Sequence, residues 1–289
     1  MYSTDFRFPS KADGLMIAAT RWGTPATAKA VVVIAHGMAE HKARYARVAS
    51  ALSDAHYLVY ALDHRGHGES VPQGEAPGDF GEAGWLGLVD DILTLMMIAR
   101  EENEGLPLIL FGHSMGSFAA QQVAISSSHL MDALVLSGSA AQDKLVEATL
   151  SEDGGNPLES FGGPDARTPF DWLSRDEAEV DKYIEDPLCG FQLTDASMMS
   201  MGEPAFVAAT PEAISDIRKD LPVLSIAGTE DPVNGQMAFL TLLEERWKDA
   251  GVARFDTQYY DGARHELLNE TNKDEVTAAL IQWMDGVVG

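Results

Sequence analysis

Apolar residues in this chain gather into short unbroken runs separated by longer amphipathic stretches. Ala30–Ala35 reads Ala-Val-Val-Val-Ile-Ala, Tyr57–Leu62 reads Tyr-Leu-Val-Tyr-Ala-Leu, and similar runs recur at residues 106–111, Ala133–Ser137 and residues 221–227. Branched side chains without alternation suit strands buried on both faces, the pattern of a central parallel sheet. Residues 253–260 alternate and are read as a last strand. Helical pattern fills residues 42–54, 85–103, 117–128, 236–250 and 274–287. In the second of these Leu88, Ile92, Leu95, Met96 and Ala99 share one face, and Thr271 or Asn272 is placed to cap the last. Before all of this, residues 6–9 and 15–22 flank Lys11-Ala12-Asp13-Gly14, a hairpin signal at a sheet edge. Strand and helix in regular alternation predict an α/β domain, a mostly parallel sheet with helices on both faces.

That rhythm stops between residues 141 and 215. No buried-strand run occurs there, prolines at 157, 164, 169, 187, 204 and 211 divide short helical pieces, and glycine pairs at 154–155 and 162–163 mark loops. The block carries sixteen acids against four bases, yet also Phe170, Trp172, Leu173, Leu188, Phe191, Leu193, Met198, Met199, Met201 and Phe206. An insertion that is acidic outside and rich in methionine and aromatics suits a cap over an apolar pocket, since flexible side chains repack around alkyl chains of different lengths. A small helical subdomain with its own methionine core is the alternative. The division expected is a core of residues 1–140 and 216–289 with a helical cap at 141–215.

Candidate chemistry sits at the strand ends. Gly112-His113-Ser114-Met115-Gly116 lies between a strand and a helix, the setting of a nucleophile elbow. Glycines two before and two after the serine relieve crowding in the sharp turn. The turn lifts the Ser114 hydroxyl over the sheet edge and sets the Met115 N–H at a helix start, where it can meet a developing oxyanion. The loop His36-Gly37-Met38-Ala39-Glu40-His41 ends the 30–35 strand, and the Met38 N–H is the candidate second donor; a packing role is the alternative for its side chain. Serine needs a base, and histidine suits because its pKa of about 6.5 lets it take and return a proton. A buried carboxylate must fix the base's tautomer. Later strand ends supply an acid at 230 or 231 and then His265, the chain order nucleophile, acid, histidine. Asp231 is preferred because Pro232 stiffens its loop and its side chain is shorter, with Glu230 the alternative. His113, inside the elbow, diverges from Ser114 and does not serve as base. His64 and His67, among the glycines of residues 63–70, do not form a rigid metal site; Asp63 and Arg65 are expected to pair and hold that loop. No metal or organic cofactor is expected.

Composition narrows the partners. Hydrophobic content is 45%, and the single cysteine, Cys189, excludes an internal disulfide framework. Its setting, Asp186-Pro187-Leu188-Cys189-Gly190, points to a packed apolar residue near a pocket mouth rather than a reactive thiol. A formal net charge of -25 repels nucleic acid and anionic membrane surfaces. The first residues lack an apolar signal segment and no run approaches a spanning length. The expectation is a soluble, cytoplasmic protein, monomer or homodimer, without nucleic-acid partner or stable membrane insertion, acting on a small-molecule ester.

Taken together, His36-Gly37-Met38 with Glu40-His41 and Arg44-Tyr45, Asp63-His64-Arg65-Gly66-His67-Gly68-Glu69-Ser70, Gly112-His113-Ser114-Met115-Gly116, Asp231 and Gly262-Ala263-Arg264-His265-Glu266 resemble the monoacylglycerol lipase and lysophospholipase branch of the α/β-hydrolase fold. The resemblance runs from about residue 5 to the end and is weak through the cap. It implies the α/β-hydrolase fold, a Ser114, Asp231 and His265 triad, and Met38 and Met115 amides as the oxyanion hole. It further implies two-step acyl transfer on short- to medium-chain acyl esters, monoacylglycerols among them. Met38 is larger than the residue often found there, which narrows the acyl side. Substrate contacts are expected at His36, Gly37, His113, Phe191, Met198 and Met199. A lysophospholipase, disfavoured by the acidic surface, a peptidase of the same fold, and a non-catalytic small-molecule-binding protein are the competing readings.

Overall fold

The computed structural model describes residues 2–151, 161 and 166–289. Eight strands, β1 (Ser3–Pro9), β2 (Met16–Trp22), β3 (Ala30–Ala35), β4 (Tyr57–Leu62), β5 (Leu108–His113), β6 (Ala133–Ser137), β7 (Pro222–Gly228) and β8 (Arg254–Tyr260), form one sheet in the order β1-β2-β4-β3-β5-β6-β7-β8. β1 and β2 form the N-terminal hairpin, β2 runs antiparallel to β4, and from β4 to β8 every neighbouring pair is parallel. This is an α/β-hydrolase architecture. Helices α1 (Ala46–Asp54), α2 (Gly84–Glu102), α3 (Met115–Ser127), α4 (Gln142–Ser151), α5 (Glu177–Glu185), α6 (Asp195–Ala208), α7 (Pro211–Ser215), α8 (Ala238–Asp249) and α9 (Lys273–Val288) complete the described elements.

The unbroken apolar runs are explained by the two cores. In β3, Val31 and Val33 pack on one face with Leu88, Ile92 and Leu95 of α2, whereas Val32 and Ile34 pack on the other with Val48 and Leu52 of α1 and Leu280 of α9. Strand side chains alternate between faces, so a strand covered on both sides has no polar position. Each such side chain contributes roughly 1.5–3 kcal/mol on burial, and this makes the strand ends firm supports for the loops beyond them.

Three local expectations are corrected. The elbow strand ends at His113 rather than Phe111, because Gly112 and His113 still pair with Leu136 and Ser137 of β6; α3 then begins at Met115. Asn272 occupies the N-cap of α9 but makes no cap bond, since its side chain donates to Glu275 at 3.2 Å. Asp63 and Arg65 do not pair. Asp63 accepts from Lys42 Nζ at 2.7 Å and from the Lys42 and Glu69 amides, whereas Arg65, fully buried, binds Asp91 at 2.9 Å and Asp13 at 2.9 Å. Both carboxylates that reach Arg65 come from distant elements, out of sight of local spacing.

Between β6 and β7 the described residues form helices and turns and no strand. Gly154, Gly155, Pro157, Gly162, Gly163 and Pro164, read as loop markers, lie outside the described residues. Among the described residues no helix is long and apolar enough to cross a membrane.

Candidate active site

Ser114 stands at the end of β5 with φ 51 and ψ -121, a left-handed conformation for a residue with a side chain. Such a conformation costs about 1–3 kcal/mol and persists only where surroundings enforce it. The surroundings are visible. A Cβ on Gly116 would lie 2.2 Å from the Ala35 carbonyl oxygen, and one on Gly112 would lie 2.5 Å from that of Gly116, so α3 packs directly on the β3 and β5 backbones. The Ser114 N–H donates to Ser137 O at 2.9 Å, while its carbonyl accepts from the Ser117 and Phe118 amides. Ser114 is partly exposed in an otherwise buried turn. Neither the Met115 nor the Met38 N–H has a hydrogen-bond partner among the described residues.

Two later loops meet beside this turn. Asp231 follows β7; its Oδ1 accepts from the Val233 amide at 2.9 Å and its Oδ2 accepts from His265 Nδ1 at 2.9 Å. The loops interlock so closely that a Cβ on Gly228 would lie 2.1 Å from Ala263 O. Glu230 is exposed and makes no bond to His265, so Asp231 is the acid that reaches the histidine. Asp231 and His265 are buried, and His265 Nε2 has no hydrogen-bond partner among the described residues. With Nδ1 donating to a carboxylate, Nε2 is left as the basic atom. Burial disfavours the His265 imidazolium, but the Asp231 charge and hydrogen bond, with Glu266 and Glu40 farther off, outweigh it and raise its pKa above the ordinary histidine value.

The His265 ring lies 4.8 Å from that of His113 and 5.0 Å from that of Trp172. A Cβ on Gly138 would meet His265 Cε1 at 2.8 Å, so only glycine at the end of β6 admits the ring. Gly138 is absent from the sequence-based candidates, although a glycine directly after the 133–137 strand is a usable signal; Trp172 is among the aromatics of the insertion, but its place beside His265 is not marked by local pattern. Trp172 and Leu173 accept the His265 and Glu266 amides through their carbonyls, at 3.4 and 2.7 Å, which fastens this part of the insertion to the histidine loop.

The 36–41 loop is held from below. Glu40, buried, accepts from the Gly37 amide at 2.6 Å, from Tyr45 Oη at 2.8 Å and from Arg44 at 2.7 Å, while Arg44 makes a two-pronged contact with Glu266. A small cavity opens among Glu40, Arg44, Tyr45, Val48, His113 and Leu268. Burial opposes the Glu40 charge, but Arg44 and the Gly37 amide keep its pKa below the usual carboxylate range. Glu40 is thus a second residue that local reading undervalued.

The expected substrate contacts separate into three groups. His36 is fully buried; its Nδ1 donates to Gly37 O at 2.7 Å and its Nε2 accepts from the His64 amide at 3.0 Å. Both ring nitrogens are engaged in holding loops. Gly37 and His113 lie beside Ser114: a Cβ on Gly37 would be 3.2 Å from Ser114 Cβ and 3.2 Å from His113 Cδ2. His113 is neutral at physiological pH, its pKa pushed down to about 4 by burial and by His265. Phe191 packs edge-on against His67, ring centroids 5.0 Å apart. Met198 is half exposed and Met199 is 79% exposed. Met199 therefore faces solvent, because α6 buries the stripe Ser197, Met201 and Ala205 instead. His67 and His64 are also buried and pushed strongly towards the neutral form, burial being the main cause. They bond to backbone, with His67 Nε2 accepting from the Ala39 amide at 3.1 Å.

A family model described as "Serine aminopeptidase, S33" matches residues 26–272. The chain belongs to this hydrolase family. Over 94% of its length this α/β-hydrolase is 30% identical to a monoacylglycerol lipase of Mycolicibacterium smegmatis, covering 93% of that protein. It is 30% identical to the monoglyceride lipase of Homo sapiens over 90% of its own length and 82% of that chain. Among solved structures, a thermostable carboxyl esterase from Bacillus coagulans in complex with glycerol superimposes with a TM-score of 0.88 over 100% of both chains at 26% identity. These likenesses place the hydrolase in the monoacylglycerol lipase-like branch of the fold.

Proposed function

We propose that the protein is a carboxylic ester hydrolase in which Ser114 is the nucleophile, His265 the general base and acid, and Asp231 the residue that orients the imidazole. The observation that carries this reading is the buried 2.9 Å Asp231–His265 bond with Nε2 left unpartnered beside the elbow. Ser114 Oγ attacks the ester carbonyl as Nε2 takes its proton. The carbonyl oxygen gains the charge, and the Met38 and Met115 N–H groups donate to it; one such donor is worth about 3–4 kcal/mol of barrier. Nε2 returns the proton to the leaving alcohol. Water then repeats the sequence on the acyl-enzyme, and no step calls on a metal or cofactor.

Relatives named for monoacylglycerols support a glycerol monoester with a short to medium acyl chain as substrate. The described residues of the insertion after β6 act as a cap over the acyl chain, with Trp172 beside His265 and Phe191 beside His67. The strongly negative surface disfavours anionic lysophospholipids. A panel tests the reading directly: p-nitrophenyl esters from short to long chains, monoacylglycerols, lysophospholipids and aminoacyl p-nitroanilides. Butyrate-range esters and monoacylglycerols are expected to turn over in the wild type and not in Ser114→Ala. Preferential cleavage of the anilides would make the protein a peptidase, and an inert wild type would make it a binding protein.

A further inference from the structure

Three side chains outside the site above converge where the insertion meets the core. His41 ends the 36–41 loop, and Asp186 and Cys189 stand on the turn that follows α5. His41 Nε2 lies 2.9 Å from Asp186 Oδ2, and one ligand-type atom from each of His41, Asp186 and Cys189 lies within 4.8 Å of the others. In a tetrahedral zinc site, bonds of about 2.0–2.3 Å set ligand atoms roughly 3.5 Å apart. The three atoms therefore start within about 1.3 Å of that spacing, on side chains with rotatable bonds.

The backbone already presents them. The Cys189 N–H donates to Asp186 O at 3.0 Å, so both residues leave a single tight turn with two residues between them, the interval common in zinc ligand pairs. From the other side the Tyr183 hydroxyl, at 2.9 Å, and the Gly190 N–H, at 3.0 Å, both donate to Ala39 O, two residues before His41. Imidazole, thiolate and carboxylate together form a set that suits Zn²⁺ and not Mg²⁺ or Ca²⁺. Asp186 is partly exposed, which gives an entry path and room for a water as fourth ligand. The neighbouring cations are already engaged, Arg44 by Glu40 and Glu266 and Lys42 by Asp63 and Glu69.

We propose that His41, Asp186 and Cys189 bind one zinc-class divalent cation, which fastens the insertion to the loop that carries Met38. On entry the His41–Asp186 hydrogen bond gives way, the Nε2 proton passes to solvent and the imidazole keeps one proton on Nδ1, the Cys189 proton also leaves to solvent, and Nε2, a carboxylate oxygen and Sγ each donate a lone pair to the ion. The redox state of every group is unchanged.

Because Cys189 is the single cysteine, a thiolate-to-cobalt absorption band reports this site alone. The tag-free full chain, held in excess Mg²⁺ to occupy surface carboxylates, is titrated with Co²⁺ and then with Zn²⁺. The band is expected to saturate at one equivalent and to be displaced by Zn²⁺. Cys189→Ser removes it, and Asp186→Asn and His41→Gln each weaken Zn²⁺ affinity more than about tenfold. Zn²⁺ also raises the melting temperature of the wild type but not of Cys189→Ser, whose metal-free melting matches the wild type and so reports intact folding. No band at one equivalent, or a band and affinity unchanged in Asp186→Asn and His41→Gln, would overturn the proposal. None of these readouts uses ester turnover, so its failure is separate from failure of the esterase reading.

Discussion

Asp231 and His265 are 1% and 2% exposed and joined at 2.9 Å, whereas on the insertion Met199 is 79% exposed and Phe206 and Val207 also stand half open. The strand ends fix a few polar atoms tightly; the insertion buries Trp172, Tyr183 and Met201 but leaves other apolar side chains open to solvent. The difference divides the labour. On the proposed reading the reacting groups sit beyond β5 and β7, which are buried on both faces, and beyond the more exposed β8, beside glycines that admit no side chain, so geometry there is narrow and substitutions should act on rate. The insertion touches those groups at few places, chiefly Trp172 and the 171–175 turn, so its substitutions should act on stability and on which ester is accepted.

The sharpest break of this contrast is Ser114→Ala, expected to lower kcat about a million-fold with melting temperature unchanged; stopped-flow and burst assays with p-nitrophenyl butyrate measure it. Asp231→Asn is next, at about ten-thousand-fold, because the amide favours the wrong tautomer of His265. The same variant should alter the pH profile. Asp231 raises the His265 pKa against burial, and the base works only when neutral, so wild-type kcat/KM falls as pH drops through a value above that of ordinary histidine. Without the carboxylate charge the fall moves to lower pH; an unmoved inflection would take His265 out of the mechanism.

On the insertion side, Trp172→Ala removes a buried ring packed 5.0 Å from His265. It should cost about 3 kcal/mol of stability and shift chain-length preference more than kcat on butyrate, measured by denaturant melts and the ester panel. The smallest effect belongs to Met199→Ser, within about 0.5 kcal/mol in stability and with little change on any soluble ester. A large loss there would mean that Met199 turns inward with substrate, and the contrast between the regions would narrow.

Much of this was legible in the chain. Unbroken branched runs marked β3, β4 and β6 to the residue, because burial on both faces leaves no polar position to blur them. The candidates Ser114, Asp231 and His265 are legible because each follows a strand-like run, unbroken for the first two and alternating for the third, in loops whose glycines the packing requires. What stayed hidden depended on partners far apart in sequence. Arg65 binds Asp13 and Asp91 rather than its neighbour Asp63, and Trp172 reaches His265 across ninety-three positions of sequence. In α6 the reason is different. Apolar residues occur on every side of that helix, so periodicity could not tell the buried Met201 from the exposed Met199.

Covalent trapping tests the central claim most directly. Intact mass and peptide mapping after treatment with an alkyl fluorophosphonate should show one adduct per chain, on Ser114, absent in Ser114→Ala and formed far more slowly in His265→Ala. An adduct on another residue, or labelling of Ser114 at equal rate without His265, would contradict the account.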